Sequence, residues 1–327
     1  RSDRDNDSIK DRLLALPYPQ IAGPAQTICN PPYFGTSPTR SGIGRSGRMA
    51  SRAPLREDIM ASGPEHNGKP FARIALIASD TERAQEACEA LAAQGEFVPL
   101  ADADVAVVLG GDGFMLQTLH AMLDSGHIVP AYGMNLGTVG FLMNRYDKRG
   151  ALTARLARAR HWTIAPLRVE AITQSGEVHH FCAINELSIL RETRQTAKIE
   201  VTVGDRVRIR ELVCDGVLVA TPAGSTAYNL SANGPILPLD SKLLALTPIS
   251  PFRPRRWRGA ILPDRMKIGL KVLDPVKRPV AAVADQKELR DIAEVRLEIA
   301  NDTALTLLFD PGQSLEERIV AEQFITD

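Results

Sequence analysis

The chain lacks most of what would mark it for a membrane, a secretory route or a zinc fold. Of 327 residues only four are cysteines (Cys29, Cys88, Cys182, Cys214), and none stands in C-x-x-C spacing. That excludes a zinc ribbon and a disulfide framework, and fits a reducing, cytoplasmic setting. No apolar run approaches the ~18–20 residues of a membrane-spanning helix. The opening Arg1-Ser-Asp-Arg-Asp has no signal-peptide core. Neither sign of charge is in excess: 39 basic residues balance 39 acidic ones. No global field therefore points to nucleic acid or an anionic membrane. There is no G-x-x-x-x-G-K-[ST] run, which argues against a Walker-type NTPase. Ser225 is followed by Thr226-Ala227, so the G-x-S-x-G elbow of a serine hydrolase is missing, and no histidine is placed by sequence to activate it.

What is present divides unevenly. Residues 1–70 hold nine of the 22 prolines and little apolar periodicity. Such a segment cannot bury enough surface to offset its ordering entropy. It is expected to be a disordered or spurious extension, with a short helix over 8–16 and with Met49 and Met60 as alternative starts. Gly42-x-Gly44-x-x-Gly47 matches a dinucleotide-binding spacing, but no strand precedes it and no apolar helix follows it.

Order is expected from Phe71. A buried strand over 71–78 precedes a helix over 81–94 capped by Ser79 or Asp80 and ending at Gly95. A strand over 105–109, a helix over 113–123, a strand over 127–133 and a helix over 148–160 follow. Alternating strands and helices predict an α/β domain with a parallel, doubly wound sheet over 71–162. From 163 the pattern turns β-rich, with strands over 163–173, 178–190, 198–203 and 206–213 and a hairpin at Gly204-Asp205. Further strands are expected near 217–221, 260–262, 267–272, 280–284 and 293–299. This all-β region, 163–302, is followed by a segment over 303–327 that returns to the first domain.

Three local patterns carry chemistry. The first is Val105-Ala-Val-Val-Leu-Gly110-Gly111-Asp112-Gly113, a strand, a glycine turn and a helix start in consecutive residues. Backbone N–H groups and the helix dipole there favour phosphate. A carboxylate repels phosphate, so Asp112 suggests a base or a metal contact; the competing reading is a helix N-cap. The second is Asn185-Glu186, a polar pair in an apolar strand, one of which should face the interior or a cleft. The third runs from Asp215-Gly216 to Gly224-Ser225-Thr226-Ala227-Tyr228, a strand, a hydroxyl-rich turn capped by Ser225 or Thr226, and a helix. A basic loop after Thr247-Pro-Ile-Ser250 carries Arg253, Arg255, Arg256 and Arg258, which could clamp phosphates or stand solvated. His179-His180-x-Cys182 is a weak metal motif, because adjacent strand residues face opposite ways.

Taken in order and spacing, Gly110-Gly-Asp-Gly113, Asn185-Glu186 and the Asp215 to Tyr228 block resemble the NAD kinase family, as do Gly137-x-x-Gly-Phe141 and Thr247-Pro-Ile-Ser250. The resemblance covers Phe71 to the C-terminus. It implies a Rossmann-like N-terminal domain, a β-sandwich C-terminal domain and NAD bound between them. Asp112 would be the general base on the adenosine 2′-hydroxyl, with Gly110, Gly111 and Gly113 against the donor phosphates. Asn185 and Glu186 would hold the adenosine part, Phe141 the adenine and Asp215 the nicotinamide amide. Ala223, Thr226, Ala227, Tyr228, Asn229 and Ser231 would line the pocket, and Gln286 would touch the substrate. The resemblance also implies Mg²⁺, ATP or polyphosphate as donor, and a homo-oligomer, dimer or tetramer. It names no protein ligand for the metal. A diacylglycerol-type lipid kinase and a non-catalytic NAD(P)-binding module are the alternatives.

Overall fold

The structure, a computed structural model, describes residues 71–137, 140–147 and 150–312. The expectations for 1–70 and for a helix beyond 312 lie outside them. The first elements are β1 (Ile74–Ala78), α1 (Glu82–Ala92), β2 (Val105–Gly110), α2 (Asp112–Ser125), β3 (Ala131–Asn135), the short β4 (Asn144–Arg145), α3 (Leu152–Leu156) and β5 (Arg160–Ile164). Then come β6 (Leu167–Thr173), β7 (Val178–Ala183), β8 (Glu186–Arg191), β9 (Ala197–Val203), β10 (Arg206–Cys214), β11 (Gly216–Ala220), α4 (Tyr228–Ser231), β12 (Leu243–Ile249) and β13 (Ala260–Pro263). The last are β14 (Ile268–Val272), β15 (Val280–Ala284), β16 (Lys287–Leu289), β17 (Ile292–Ile299) and β18 (Leu305–Phe309).

β1, β2 and β3 pair in parallel, and β18 inserts beside β3 before β5 closes the path antiparallel to β18. Every residue of β2 is buried, as a strand covered on both faces requires. Its apolar run feeds two cores: Val105, Val107 and Leu109 face the α1 side, while Ala106 and Val108 face α2. α2 ends on Gly126 at φ 71, a left-handed C-cap that glycine adopts without steric cost. α1 starts after Thr81, with no side-chain cap, rather than from Ser79 or Asp80.

Two six-stranded antiparallel sheets, ordered β10-β9-β14-β17-β6-β7 and β13-β12-β11-β8-β15-β16, form the second region. β6 and β9 alternate buried and half-buried along their whole length, with the buried face turned to the opposite sheet. Leu167, Val169, Ile199, Val201, Leu187, Ile189, Val217 and Val219, drawn from both sheets, share one apolar core. This is a β-sandwich beside a Rossmann-like sheet.

Several sequence expectations are corrected. The helix expected over 148–160 contracts to Leu152–Leu156, because Arg160–Ile164 is drawn into the sheet by β18. The strand expected over 163–173 breaks at Ala165-Pro166, where the chain leaves the first sheet for the second. The expected boundary at 162/163 would cut through β5. The strand expected over 178–190 is two strands in different sheets, turning at Ile184-Asn185. β12 was not expected at all. Its Pro248 lies beyond the last β13 pair, Leu246↔Ala260, so no ladder on that side needs the missing N–H.

Candidate active site

Residue order fixes the glycine turn. β2 ends at Gly110, whose carbonyl accepts the N–H of Leu136 at 2.7 Å, so the turns after β2 and β3 lie side by side at the carboxyl ends of the parallel strands. Ligands of such sheets bind at that edge. Gly111 occupies the N-cap position of α2 without a side chain, and Asp112 is the first helical residue. The N-cap reading of Asp112 is therefore not what the backbone adopts. Its carboxylate instead accepts the backbone N–H groups of Phe141 at 2.7 Å and Leu142 at 3.0 Å, one on each oxygen. Those two contacts fix the orientation of the carboxylate.

The second component is the corner between β7 and β8. Ile184 and Asn185 carry the chain from one sandwich sheet to the other, so the polar pair sits at a strand junction rather than within a strand. The corner is held from two directions. Asp285 accepts the N–H groups of Ile184 (2.7 Å), Asn185 (2.9 Å) and Glu186 (3.2 Å). Thr221 donates its hydroxyl to the Ile184 carbonyl at 2.7 Å and its N–H to the Asn185 carbonyl at 2.9 Å. Gly224 lies so close that an added Cβ would run into the carbonyl oxygen of Asn185.

Among the described residues, Asn185 Oδ1 and Glu186 Oε2 are buried and meet no hydrogen-bond partner. Such groups cost about 1–3 kcal/mol each, an expense that a bound ligand offsets. Burial, reinforced by the Asp285 charge, pushes the Glu186 carboxyl up to about 8. Tyr228 is half-buried, and its hydroxyl pKa is raised by burial first and then by the charges of Glu186 and Asp215. Asp215 itself is paired with Arg191, Nε to Oδ1 at 2.6 Å.

The 223–231 block is partly frame and partly lining. Ala223–Thr226 form a 3-10 turn, and α4 begins after Ala227 with no side-chain cap, contrary to the expected cap by Ser225 or Thr226. Ser225 is fully buried; its hydroxyl donates to the Pro222 carbonyl at 2.7 Å and accepts the Leu237 N–H at 3.0 Å. Asn229, expected to line the pocket, is also fully buried. It donates to the carbonyls of Ser225 and Pro235 and accepts the Thr247 hydroxyl at 2.7 Å. Thr226, Ala227 and Tyr228 are half-buried, and Ser231 is exposed at the end of α4.

The two regions meet through a shared apolar cluster. Ile184, Ala223 and Leu239 of the sandwich pack with Met115, Leu116 and Leu142, and Phe141 lies against the same cluster. Gln286 reaches across to α2, its Nε2 3.5 Å from the Gly113 carbonyl and its Oε1 accepting from Gln117 at 3.2 Å. The glycine turn, Phe141, Asn185-Glu186, Ala223 and Gln286 are thus gathered at one junction. Asp285 and His120, which join it, were missed by sequence reasoning. The only signal was Asp285 standing next to Gln286 at the end of an apolar strand. A separate cavity of about 640 Å³ beside α3, lined by Arg145, Arg155, Arg158 and Asp310, shares no residue with this junction.

A carboxylate fixed on a glycine turn at the carboxyl end of a parallel strand, in a domain that packs against a second one with unmet polar groups, is suited to phosphoryl transfer onto a hydroxyl. The class is a two-domain nucleotide-binding phosphotransferase. A family model for the ATP-NAD kinase C-terminal domain matches residues 184–303. The NAD kinase of Rhizorhabdus wittichii is 63% identical over 252 residues, covering 77% of this chain and 98% of that protein. That of Zymomonas mobilis is 60% identical over 254 residues, covering 78% and 98%. Yeast NADH kinase complexed with NADH superposes with a TM-score of 0.67 at 21% identity, covering 79% of this chain and 89% of the other. An Archaeoglobus fulgidus NAD kinase in complex with ATP superposes at 0.62 and 22% identity, covering 76% and 98%. These two structures carry the fold. The chain belongs to the NAD kinase family. The relatives do not favour a lipid kinase.

Proposed function

We propose that the chain phosphorylates NAD to NADP with ATP as donor, and that Asp112 is the general base. The 2′-oxygen of the adenosine ribose attacks the γ-phosphorus. The bond from that phosphorus to the β–γ bridging oxygen breaks and ADP leaves, while the hydroxyl proton passes to Asp112. Gly110, Gly111 and Gly113 lie against the donor phosphates, where first-turn amides of α2 favour negative charge. Asn185 and Glu186 take the adenosine part, Phe141 packs near the adenine, and Asp215 meets the nicotinamide amide. Ala223, Thr226, Ala227, Tyr228 and Ser231 line the pocket. The observation that carries this reading is the Asp112 carboxylate, oriented by the Phe141 and Leu142 amides at the junction with the sandwich.

Mg²⁺ belongs to the same reading. Among the described residues no group of three or more His, Cys, Asp or Glu side chains could hold a metal. Mg²⁺ commonly binds through substrate phosphates, water and one or two carboxylates, which fits a turn offering Asp112 alone. When bound, the ion neutralises charge on the donor phosphates. A cytoplasmic homo-oligomer, dimer or tetramer, completes the proposal, and light scattering on the purified chain measures its size.

The test is incubation with NAD, ATP and Mg²⁺, reading NADP by chromatography, with polyphosphate as a parallel donor. NADP formed at the expense of ATP is the expected result. NAD left unphosphorylated with either donor would overturn the reading.

A further inference from the structure

The junction contains a contact that the reaction itself does not require. Ala284 pairs with Lys287, so Asp285 and Gln286 form the tip of the β15–β16 hairpin. Asp285 takes φ 51, a left-handed conformation that aspartate tolerates better than most residues. All three residues from Asp285 to Lys287 reach α2. Asp285 meets His120 Nε2 at 2.7 Å, Gln286 meets Gln117 and the Gly113 carbonyl, and Lys287 pairs with Asp124 at 3.2 Å. Positions 113, 117, 120 and 124 follow helical spacing and share one face of α2.

These contacts are unequal. Lys287 and Asp124 are 40% and 46% exposed, and such pairs contribute little. The Asp285 side chain is fully buried and that of His120 is 12% exposed. An acceptor-only carboxylate requires the proton on Nε2, so His120 donates. Asp285 therefore accepts four donors: three N–H groups of the corner at 184–186 and one from α2. Its own N–H donates to the Glu186 carbonyl at 3.1 Å. The corner bearing the unpartnered Asn185 and Glu186 groups is thus tied by a single buried carboxylate to the helix that begins with Asp112.

We propose that this hairpin tip is an interdomain clasp, and that His120 and Asp285 are positioning residues that set the distance between the Asn185–Glu186 corner and Asp112. The inference rests on the reading of that corner as the dinucleotide site and of Asp112 as the base. Displacement of a reacting group by about 1 Å can cost on the order of 100-fold in rate. Loss of the His120 donor leaves the corner held by Asp285 within its own domain, so dinucleotide binding survives while the alignment with Asp112 does not.

His120→Gln and His120→Asn decide the matter in the full chain. Both carry the same amide. The longer glutamine places its N–H near the position of imidazole Nε2, whereas the asparagine falls short of Asp285. The expected result is a fall in kcat of about 10- to 100-fold for His120→Asn. Its Kd for NAD, measured calorimetrically without donor, should stay within about threefold of the parent, and His120→Gln should recover most of kcat. A merely structural role would lower Tm and active fraction in both variants without separating kcat from Kd. Wild-type kcat in His120→Asn, or equal loss in both variants, would overturn the clasp. Asp112→Asn in the same assay scores the base reading separately, because its outcome does not depend on whether glutamine and asparagine differ at position 120.

Discussion

At the scale of single residues, the junction is defined by three carboxyl groups in different environments. Asp112 is held by two amides, Asp285 by four donors, and Glu186 by burial with one oxygen unmet. Glu186 yields a pH prediction. Its folded-state pKa is raised from an ordinary 4.5 to about 8. A raised carboxyl favours the protonated folded form, so its contribution is fully present below pH 4.5. That contribution is lost as pH rises towards 8. Glu186→Gln removes the titration. Thermal melts should show the variant more stable than the parent above pH 8, by up to a few kcal/mol, on the order of one kcal/mol per pKa unit. The gain should shrink towards pH 5, about where an ordinary carboxyl is half ionised. A gain independent of pH would contradict the burial argument. Sequence reasoning reached Glu186 and Asp112 because each sits in a short local pattern. It did not reach the His120–Asp285 pair, whose members lie 165 positions apart. Nor did it reach the hydrogen bonds that Asn229 makes to Ser225, Pro235 and Thr247, because a polar residue in a turn-helix motif does not reveal its protein partners.

At the scale of elements, legibility followed whether local preference and tertiary pairing agreed. β2, its glycine turn and α2 were readable because an apolar valine run, three glycines and an apolar helical face all point to one answer. The alanine- and arginine-rich stretch after Gly150 was not: its pattern is helical, but pairing with β18 takes Arg160–Ile164 into the sheet. β12 was hidden by Pro248, which is harmless only because β13 has already ended. The 3-10 turn at Ala223–Thr226 is the element on which the corner leans most closely. Gly224→Ala would force that turn away from the Asn185 carbonyl. Overpacking of this kind costs about 1–3 kcal/mol. Denaturant titration should show that loss together with weakened NAD binding, whereas an unchanged midpoint would mean the turn can shift freely.

At the scale of the whole molecule, the two regions are joined by the apolar cluster that Ile184, Ala223 and Leu239 share with Met115, Leu116 and Leu142. Calorimetry should therefore give a single transition for the folded region, with calorimetric and van't Hoff enthalpies in agreement. Ile184→Ala should lower stability by about 2–5 kcal/mol and begin to separate the transition into two. Two well-resolved transitions in the parent would show that the junction contributes little. The same organisation explains why function is concentrated there. The Rossmann-like sheet presents a phosphate-receptive turn, the sandwich presents unmet acceptor-side groups, and neither half carries both.

The most direct measurement is the steady-state rate of NADP formation by Asp112→Asn beside the parent chain, at saturating NAD, ATP and Mg²⁺. Asparagine can accept only one of the Phe141 and Leu142 N–H groups and sets its NH2 against the other, so Tm and the Kd for NAD are measured alongside to separate loss of the base from a shifted turn. The account predicts a fall in kcat of about 10²- to 10⁴-fold, the usual worth of a general base, with NAD binding largely preserved. A kcat near that of the parent would contradict the assignment of Asp112 as the residue that takes the hydroxyl proton.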